Sequence, residues 1–212
     1  MLPFGAEAAA QIVSELETSL ARSKHPIPVG ISNRHFHITE EHWRILFGEK
    51  DPTEYRRILQ PGFWAATETV DVEGPKGRLD RIRLVAPFRS KTQVEISRTD
   101  ASMLGIKPPV RGSGKLEGAA PLRLHGPRGH VDVEDAAIIA QRHVHFHPRD
   151  AEKFGIKGGE MLRVRAGIGG PRETVFEQCL ARVSDQFALE FHVDLDEANA
   201  AWLKNGDFVH IV

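Results

Sequence analysis

The sequence has a single cysteine, Cys179, so no disulfide can form within the chain. Cys179 lies in the apolar-rich run Val175 to Val183, which fits a packed core thiol. No apolar run approaches the roughly 18 residues needed to cross a bilayer. The N-terminus lacks the charged start and cleavage site of a secretory signal. A basic excess is missing too: the net charge is −1 with both signs interspersed, whereas a nucleic-acid binder carries a basic stripe. Gly167 to Pro171 lacks the glycine spacing of a dinucleotide fingerprint. In Arg111-Gly-Ser-Gly-Lys115 the spacing of a phosphate loop is wrong, and Leu116 replaces the required Ser or Thr, so a mobile loop is expected there. These absences argue against nucleic acid, membrane and nicotinamide as partners. They leave a soluble, cytoplasmic protein.

The chain does have enough apolar residues for a core, 41% of 212, in one large domain or two small ones. Residues from about Ala6 to Ala21 read as an amphipathic helix, with Ile12, Val13, Leu16 and Leu20 at helical spacing. His25 and Pro26 end that pattern. The helix either docks its stripe on the body, which is the commoner fate of such a stripe, or addresses the chain to a larger assembly.

From Ile27 onward the texture is of short extended runs separated by turns. Strands are expected at Ile27 to Ser32, Glu68 to Glu73, Arg81 to Val85, Thr92 to Ser97 and Leu122 to His125. Further strands are expected at Ala136 to Ala140, Met161 to Ala166, Glu177 to Val183, Ala188 to Val193 and Phe208 to Val212. Gly74 to Gly77 and Gly126 to Gly129 are turn sequences. Short helices fit Glu40 to Phe47, Pro148 to Phe154 and Asp196 to Leu203. The fold class is therefore mainly β with short helices (α+β), and barrels suit it better than a doubly wound sheet.

A weak internal repeat runs through the chain. Arg34-His35-Phe36-His37 leads into a short helix and Leu46-Phe47-Gly48; Arg142-His143-Val144-His145 leads likewise into Lys153-Phe154-Gly155. A second echo pairs Val94-Glu95-Ile96-Ser97 with Leu189-Glu190-Phe191-His192. Two related halves would put the two His-x-His segments in equivalent places.

Eleven histidines are the unusual count, and their placement matters more. Residues two apart in a strand point the same way, so His35 projects with His37, and His143 with His145. Two imidazoles on one face can share a metal, and a catalytic zinc takes three protein ligands and keeps a position open. Glu95 and His192, each on the polar side of its strand, are candidates for the remaining ligands, although either alone fits a solvated strand face. His147 continues the alternation but stands directly before Pro148, where the strand should turn away, and is left out of the metal set. His25, His42, His125, His130 and His210 have no partner at useful spacing and read as surface or structural.

The string Ile27-Pro-Val-Gly-Ile-Ser-Asn-Arg-His-Phe-His37 resembles the opening motif of the PduL-type phosphotransacylases. So do Gln60-Pro-Gly62, Thr92-Gln-Val-Glu-Ile-Ser-Arg-Thr-Asp100, Pro108-Pro-Val-Arg111, Arg142-His-Val-His145, Leu189-Glu-Phe-His192 and Asp196-Glu-Ala-Asn199. These motifs run in family order from residue 27 to about residue 200. The resemblance implies two β-barrel units capped by short helices, with a two-zinc site at their junction. Residues 1–24 would form the N-terminal helix and a possible targeting segment. Residues 25–33 with 142–212 would form one barrel unit, and residues 34–141 the other. One zinc would be held by His35, His37 and Glu95, the second by His143, His145 and His192. Arg89, in Ala86-Pro-Phe-Arg-Ser90, matches the family's phosphate-binding arginine. Phe36 departs from the usual Val or Ile, and His147 from a small polar residue.

The activity so implied is reversible transfer of a short acyl group, propanoyl or acetyl, between coenzyme A and inorganic phosphate. A homodimer is expected, working free in the cytoplasm or as cargo inside a bacterial microcompartment. A metal-dependent thioester or phosphoester hydrolase and a non-catalytic metal-binding component of a microcompartment are the alternatives.

Overall fold

The computed structural model describes residues 5–212. It is dominated by strands, with five helices of at least six residues among the described residues. The chain divides into two units: residues up to Gly30 with Arg142–His192 and Ala200–Val212, and Ile31–Gln141 with Val193–Asn199. Residues 1–4 of the expected N-terminal segment lie outside the described residues.

In the first unit the strands Ile27–Ile31, Glu190–Val193, His143–Phe146, Thr174–Val183, Met161–Ala166 and Phe208–Ile211 close in that order into a barrel. Buried Val144, Phe146, Leu162, Val164, Ala181, Phe191, Val209 and Ile211 alternate with outward residues to fill it. Cys179 is among them, fully buried, with its thiol directed at the Phe176 carbonyl.

In the second unit the strands His130–Ala140, Gln93–Glu95, His35–His37, Arg78–Ala86, Trp64–Glu73 and Ala120–His125 pair in that order, and the last pairs back onto the first. That is again a closed ring of six. Glu54–Arg57 and Val110–Arg111 are added outside it. Phe36, Trp43, Leu46, Ile82, Leu84 and Leu124 form its core.

Strand for strand the two rings have the same order, so the repeat glimpsed in the sequence is a repeat of topology. In each, the His-x-His strand pairs antiparallel on one side and parallel on the other. Each parallel neighbour carries a non-glycine residue with a left-handed backbone, Arg81 (φ 56°) and Gln178 (φ 57°). Both lie where the antiparallel partner slips register, the mark of a bulge that bends the strand around a small barrel. In each, the His-x-His strand leads into a capping helix, Glu40–Phe47 and Pro148–Phe154.

Three local expectations need correction. Arg98–Leu104 is a helix that was not expected, opened by a capping box between Ser97 and Asp100, and the strand expected over Thr92 to Ser97 is confined to Gln93–Glu95, with Ser97 serving as the helix cap. The last helix is Leu195–Ala200 rather than a longer one reaching Leu203. The Ala6–Ser23 helix forms, but its stripe does not dock: Ile12, Val13, Leu16 and Leu20 are 46–62% exposed. Among the described residues, hydrogen bonds and ion pairs to the barrel come only from its last turn. There Arg22 donates to the Phe154 and Gly155 carbonyls and pairs with Glu160, and His210 Nδ1 donates to the Ser23 carbonyl.

Candidate metal centres

Strand pairing determines which side chains meet. In the second unit His35 stands opposite Glu95 across the antiparallel pair, and His37 opposite Gln93. His35 Nε2 lies 3.7 Å from Glu95 Oε2, and His37 Nε2 lies 3.8 Å from Glu95 Oε1. Each ring is oriented from behind: His35 Nδ1 donates to the Asn33 carbonyl and His37 Nδ1 to the Val85 carbonyl, both at 2.8 Å. A carbonyl can only accept, so each Nδ1 carries a proton there, and Nε2 is the ring nitrogen turned toward Glu95. This is the backing that orients a metal-ligating imidazole. Burial, reinforced by the charges of His35 and Arg89, pushes His37 down to about 3, so its ring is neutral at physiological pH.

In the first unit His143 stands opposite His192. The rings of His143, His145 and His192 form a triangle with centroids 4.6, 4.7 and 5.0 Å apart. His145 stacks on Phe187 at 4.1 Å, and burial followed by the neighbouring His143 and His192 holds its pKa far below the ordinary value. Both ring nitrogens of His145 are buried and make no hydrogen bond among the described residues. Leaving a buried imidazole so unsatisfied is costly unless something else takes up the lone pair.

In both sets the donor atoms lie within 4.8 Å of one another. Neutral imidazoles and one carboxylate are a donor chemistry suited to zinc. The residues present therefore fit a divalent ion in each unit.

Arg89 is placed by its strand exit, with its backbone N–H on the Ile38 carbonyl. Its Nη1 donates to Ser113 Oγ at 3.0 Å, and its guanidinium lies over the Phe63 ring at 5.5 Å. Arg34 pairs with Asp100 at 3.4 Å, and Arg142 donates to the Glu177 carbonyl while lying over Phe176. Those two arginines are engaged in holding their own units together.

A family model described as phosphate propanoyltransferase matches residues 28–204, a span that takes in both donor sets. The chain belongs to the phosphate propanoyltransferase family. It is similar to proteins of that name from Thermotoga maritima (50% identical over 194 residues; 91% of this chain, 92% of that protein), from Lachnoclostridium phytofermentans (41% over 197 residues; 92% of each) and from Citrobacter freundii (43% over 196 residues; 90% and 93%).

In this phosphate propanoyltransferase family member two residues beside the first set escaped the reading of the sequence. Gln93 Nε2 donates to Glu95 Oε1 at 2.6 Å and to Ser113 Oγ at 3.0 Å, while Gln93 Oε1 accepts from the Gly114 N–H at 2.7 Å. The loop Arg111 to Lys115, expected to be mobile, is instead tied to Arg89 and Gln93 through Ser113 and Gly114. No periodic signal marks such a link, since its partners are some twenty residues apart. His147 lies outside the donor sets: it caps the helix Pro148–Phe154, its Nδ1 accepting from the Arg149 N–H. The other histidines have structural contacts. His42 meets Thr92, His125 pairs with Glu73 and lies beside His130, and His25 packs edge-on against Phe154.

Proposed function

We propose that the chain transfers a short acyl group, propanoyl or acetyl, reversibly between coenzyme A and inorganic phosphate, with two zinc ions bound per chain. His35, His37 and Glu95 hold one ion, and His143, His145 and His192 the other. The observation that carries the reading is the joining, within one unit, of a backed His–His–carboxylate set to an arginine through shared hydrogen bonds (Arg89 to Ser113, Ser113 to Gln93, Gln93 to Glu95). The name shared by the relatives, phosphate propanoyltransferase, supports the same substrates.

In the forward direction a phosphate oxygen attacks the thioester carbonyl carbon. A C–O bond forms, the C–S bond breaks, and acyl phosphate and the CoA thiolate leave, the thiolate taking a proton from solvent. Arg89 holds the phosphate, because its planar fork can grip two oxygens and fix the third toward the carbonyl. Ser113 and Phe63 limit the guanidinium's motion, so the grip is preorganised. His35 and His37 present lone pairs in one orientation because the Asn33 and Val85 carbonyls take their other protons. Bound zinc would supply Lewis acidity for charge developing on the carbonyl oxygen and a soft partner for the thiolate. Aligning two bound reactants is worth on the order of 7–11 kcal/mol in favourable cases. Direct transfer then suffices, and the buried Cys179 is not needed as a nucleophile.

The exposed stripe of the N-terminal helix supports the addressing role, cargo of a bacterial microcompartment, over local docking. A homodimer is the assembly proposed with it. CoA release from acetyl-, propanoyl- and butanoyl-CoA, with and without phosphate, tests the activity. Release that depends on phosphate, fastest with the two shorter thioesters, is expected; equal release without phosphate would indicate a hydrolase.

A further inference from the structure

The two rings share a topology, so a histidine in one has a counterpart in the other, and His145 corresponds to His37. Each is the second histidine of its strand, and each strand has one parallel neighbour. In the second unit that neighbour, Arg78–Ala86, supplies the Val85 carbonyl that accepts from His37 Nδ1. In the first unit the parallel neighbour, Thr174–Val183, brings Arg182 into register with His145 instead. There neither ring nitrogen of His145 has a hydrogen-bond partner among the described residues. An imidazole turns about χ2 in a broad, roughly two-fold well, so a metal-ligating histidine needs something behind it to fix the ring.

What lies against this ring is Phe187. The two rings are stacked, with centroids 4.1 Å apart and planes 19° from parallel. We propose that Phe187 is the positioning residue of His145, its ring fixing the imidazole plane where a backbone carbonyl fixes that of His37. The proposal rests on the reading of His143, His145 and His192 as a metal set and adds no ligand to it.

A side chain can hold another only if it is itself held. Phe187 closes a β-turn, its N–H donating to the Ser184 carbonyl at 3.1 Å. The Ser184 N–H in turn donates at 3.0 Å to the carbonyl of Phe146, the residue after His145. The turn that carries Phe187 is therefore hung from the strand that carries the histidine. The Arg182 guanidinium lies over the same phenyl ring, 5.2 Å from its centre, and a cation on an aromatic face restrains it further. Arg182 is in turn fixed by its register with His145. Backbone and cation thus hold one phenyl ring, and that ring holds the imidazole.

A stack differs from a hydrogen bond in what can replace it. It depends on a flat face, not on a donor or an acceptor. Another aromatic ring should therefore serve, and an aliphatic side chain of similar volume should not. Phe187 is only half-buried, which leaves room for the hydroxyl of a tyrosine.

The test uses the full chain with His35→Ala and His37→Ala, so that the three-histidine set is the one read, and cobalt(II) chloride as the probe. Affinity is measured by competition with a chromophoric chelator, and ligand geometry by the visible cobalt absorption. Phe187→Leu is expected to weaken cobalt binding about 2–10-fold, the worth of one aromatic pair, and to shift the visible band. Phe187→Tyr should stay within about twofold of the parent and keep its band. Unchanged affinity in Phe187→Leu, or weaker affinity with an unchanged band, would overturn the role of Phe187 and leave the histidine set standing. Equal weakening in the leucine and tyrosine variants would overturn it as well, since shape rather than stacking would then matter. A parent that binds no cobalt would overturn both this proposal and the reading beneath it. If Phe187→Leu does not fold, Phe187→Met makes the same comparison with the tyrosine variant.

Discussion

Glu95 stands directly opposite His35 across two antiparallel strands, its carboxylate 3.7 Å from the imidazole, and the same carboxylate lies 3.8 Å from His37. One acidic side chain thus serves two histidines whose far nitrogens are already committed to backbone carbonyls. Metal analysis of the purified chain is expected to show two zinc ions per chain. Prolonged treatment with a strong chelator should abolish turnover, and added zinc should restore it. A fully active chain with less than one ion would contradict this. Glu95→Gln keeps the shape and removes the charge, and should weaken the ion at His35 and His37 about 10–100-fold.

Arg89 should be the most sensitive position that is not a metal ligand. Arg89→Ala is expected to reduce phosphate-dependent turnover by about 100-fold or more, with zinc content unchanged. Arg89→Lys should recover only part, because an ammonium is a point charge without the two-oxygen fork. Both kcat and the phosphate KM should move, since positioning acts in the ground state and the transition state. Near-normal phosphate kinetics in Arg89→Ala would move the role to Arg34 or Arg142.

How much of this was legible in the sequence differs from residue to residue. The histidine pairs were, because a strand's period of two puts His35 with His37 and His143 with His145 whatever the rest of the fold does. Glu95 and His192 were candidates from the polar side of their strands, but only the family resemblance allotted each to a donor set, since either alone looks like an ordinary polar strand residue. The second sequence echo aligned Glu95 with Glu190 by identity. Strand pairing instead makes Glu95 the counterpart of His192, and Gln93 that of Glu190, a shift of two residues. Identity misled because Glu95 stands opposite the first histidine of its pair and Glu190 opposite the second. The long strands Trp64–Glu73 and Thr174–Val183 were read too short because their pairing slips register and interrupts the alternation. Ser113 left no trace as a site residue, because its bonds to Arg89 and Gln93 join segments that are distant in sequence.

Removing residues 1–24 should leave kcat and KM nearly unchanged, because every proposed site residue lies beyond Ile27. It should also cost little stability, since the exposed stripe buries little apolar area and the losses are the Arg22 and Ser23 contacts. A truncated chain that folds but has lost nearly all turnover would contradict this placement.

The metal-free chain should lose stability on acidification. His37 has a folded pKa of about 3 against an ordinary 6.5. Its contribution is therefore complete above about pH 6.5 and is lost as pH falls toward about pH 3, where the unfolded chain binds the proton that the folded chain refuses. Melting temperatures of chelator-treated protein should fall across that window, and His37→Phe should flatten the fall. A profile identical in the two proteins would count against the burial of His37 as its cause.

The most direct measurement is a product balance: CoA thiol released from propanoyl-CoA in phosphate buffer, against acyl phosphate trapped with hydroxylamine. Acyl transfer to phosphate predicts one acyl phosphate for each CoA released, with neither product forming when phosphate is replaced by an inert buffer. CoA release at the same rate without phosphate, with free propanoate in place of acyl phosphate, would contradict it.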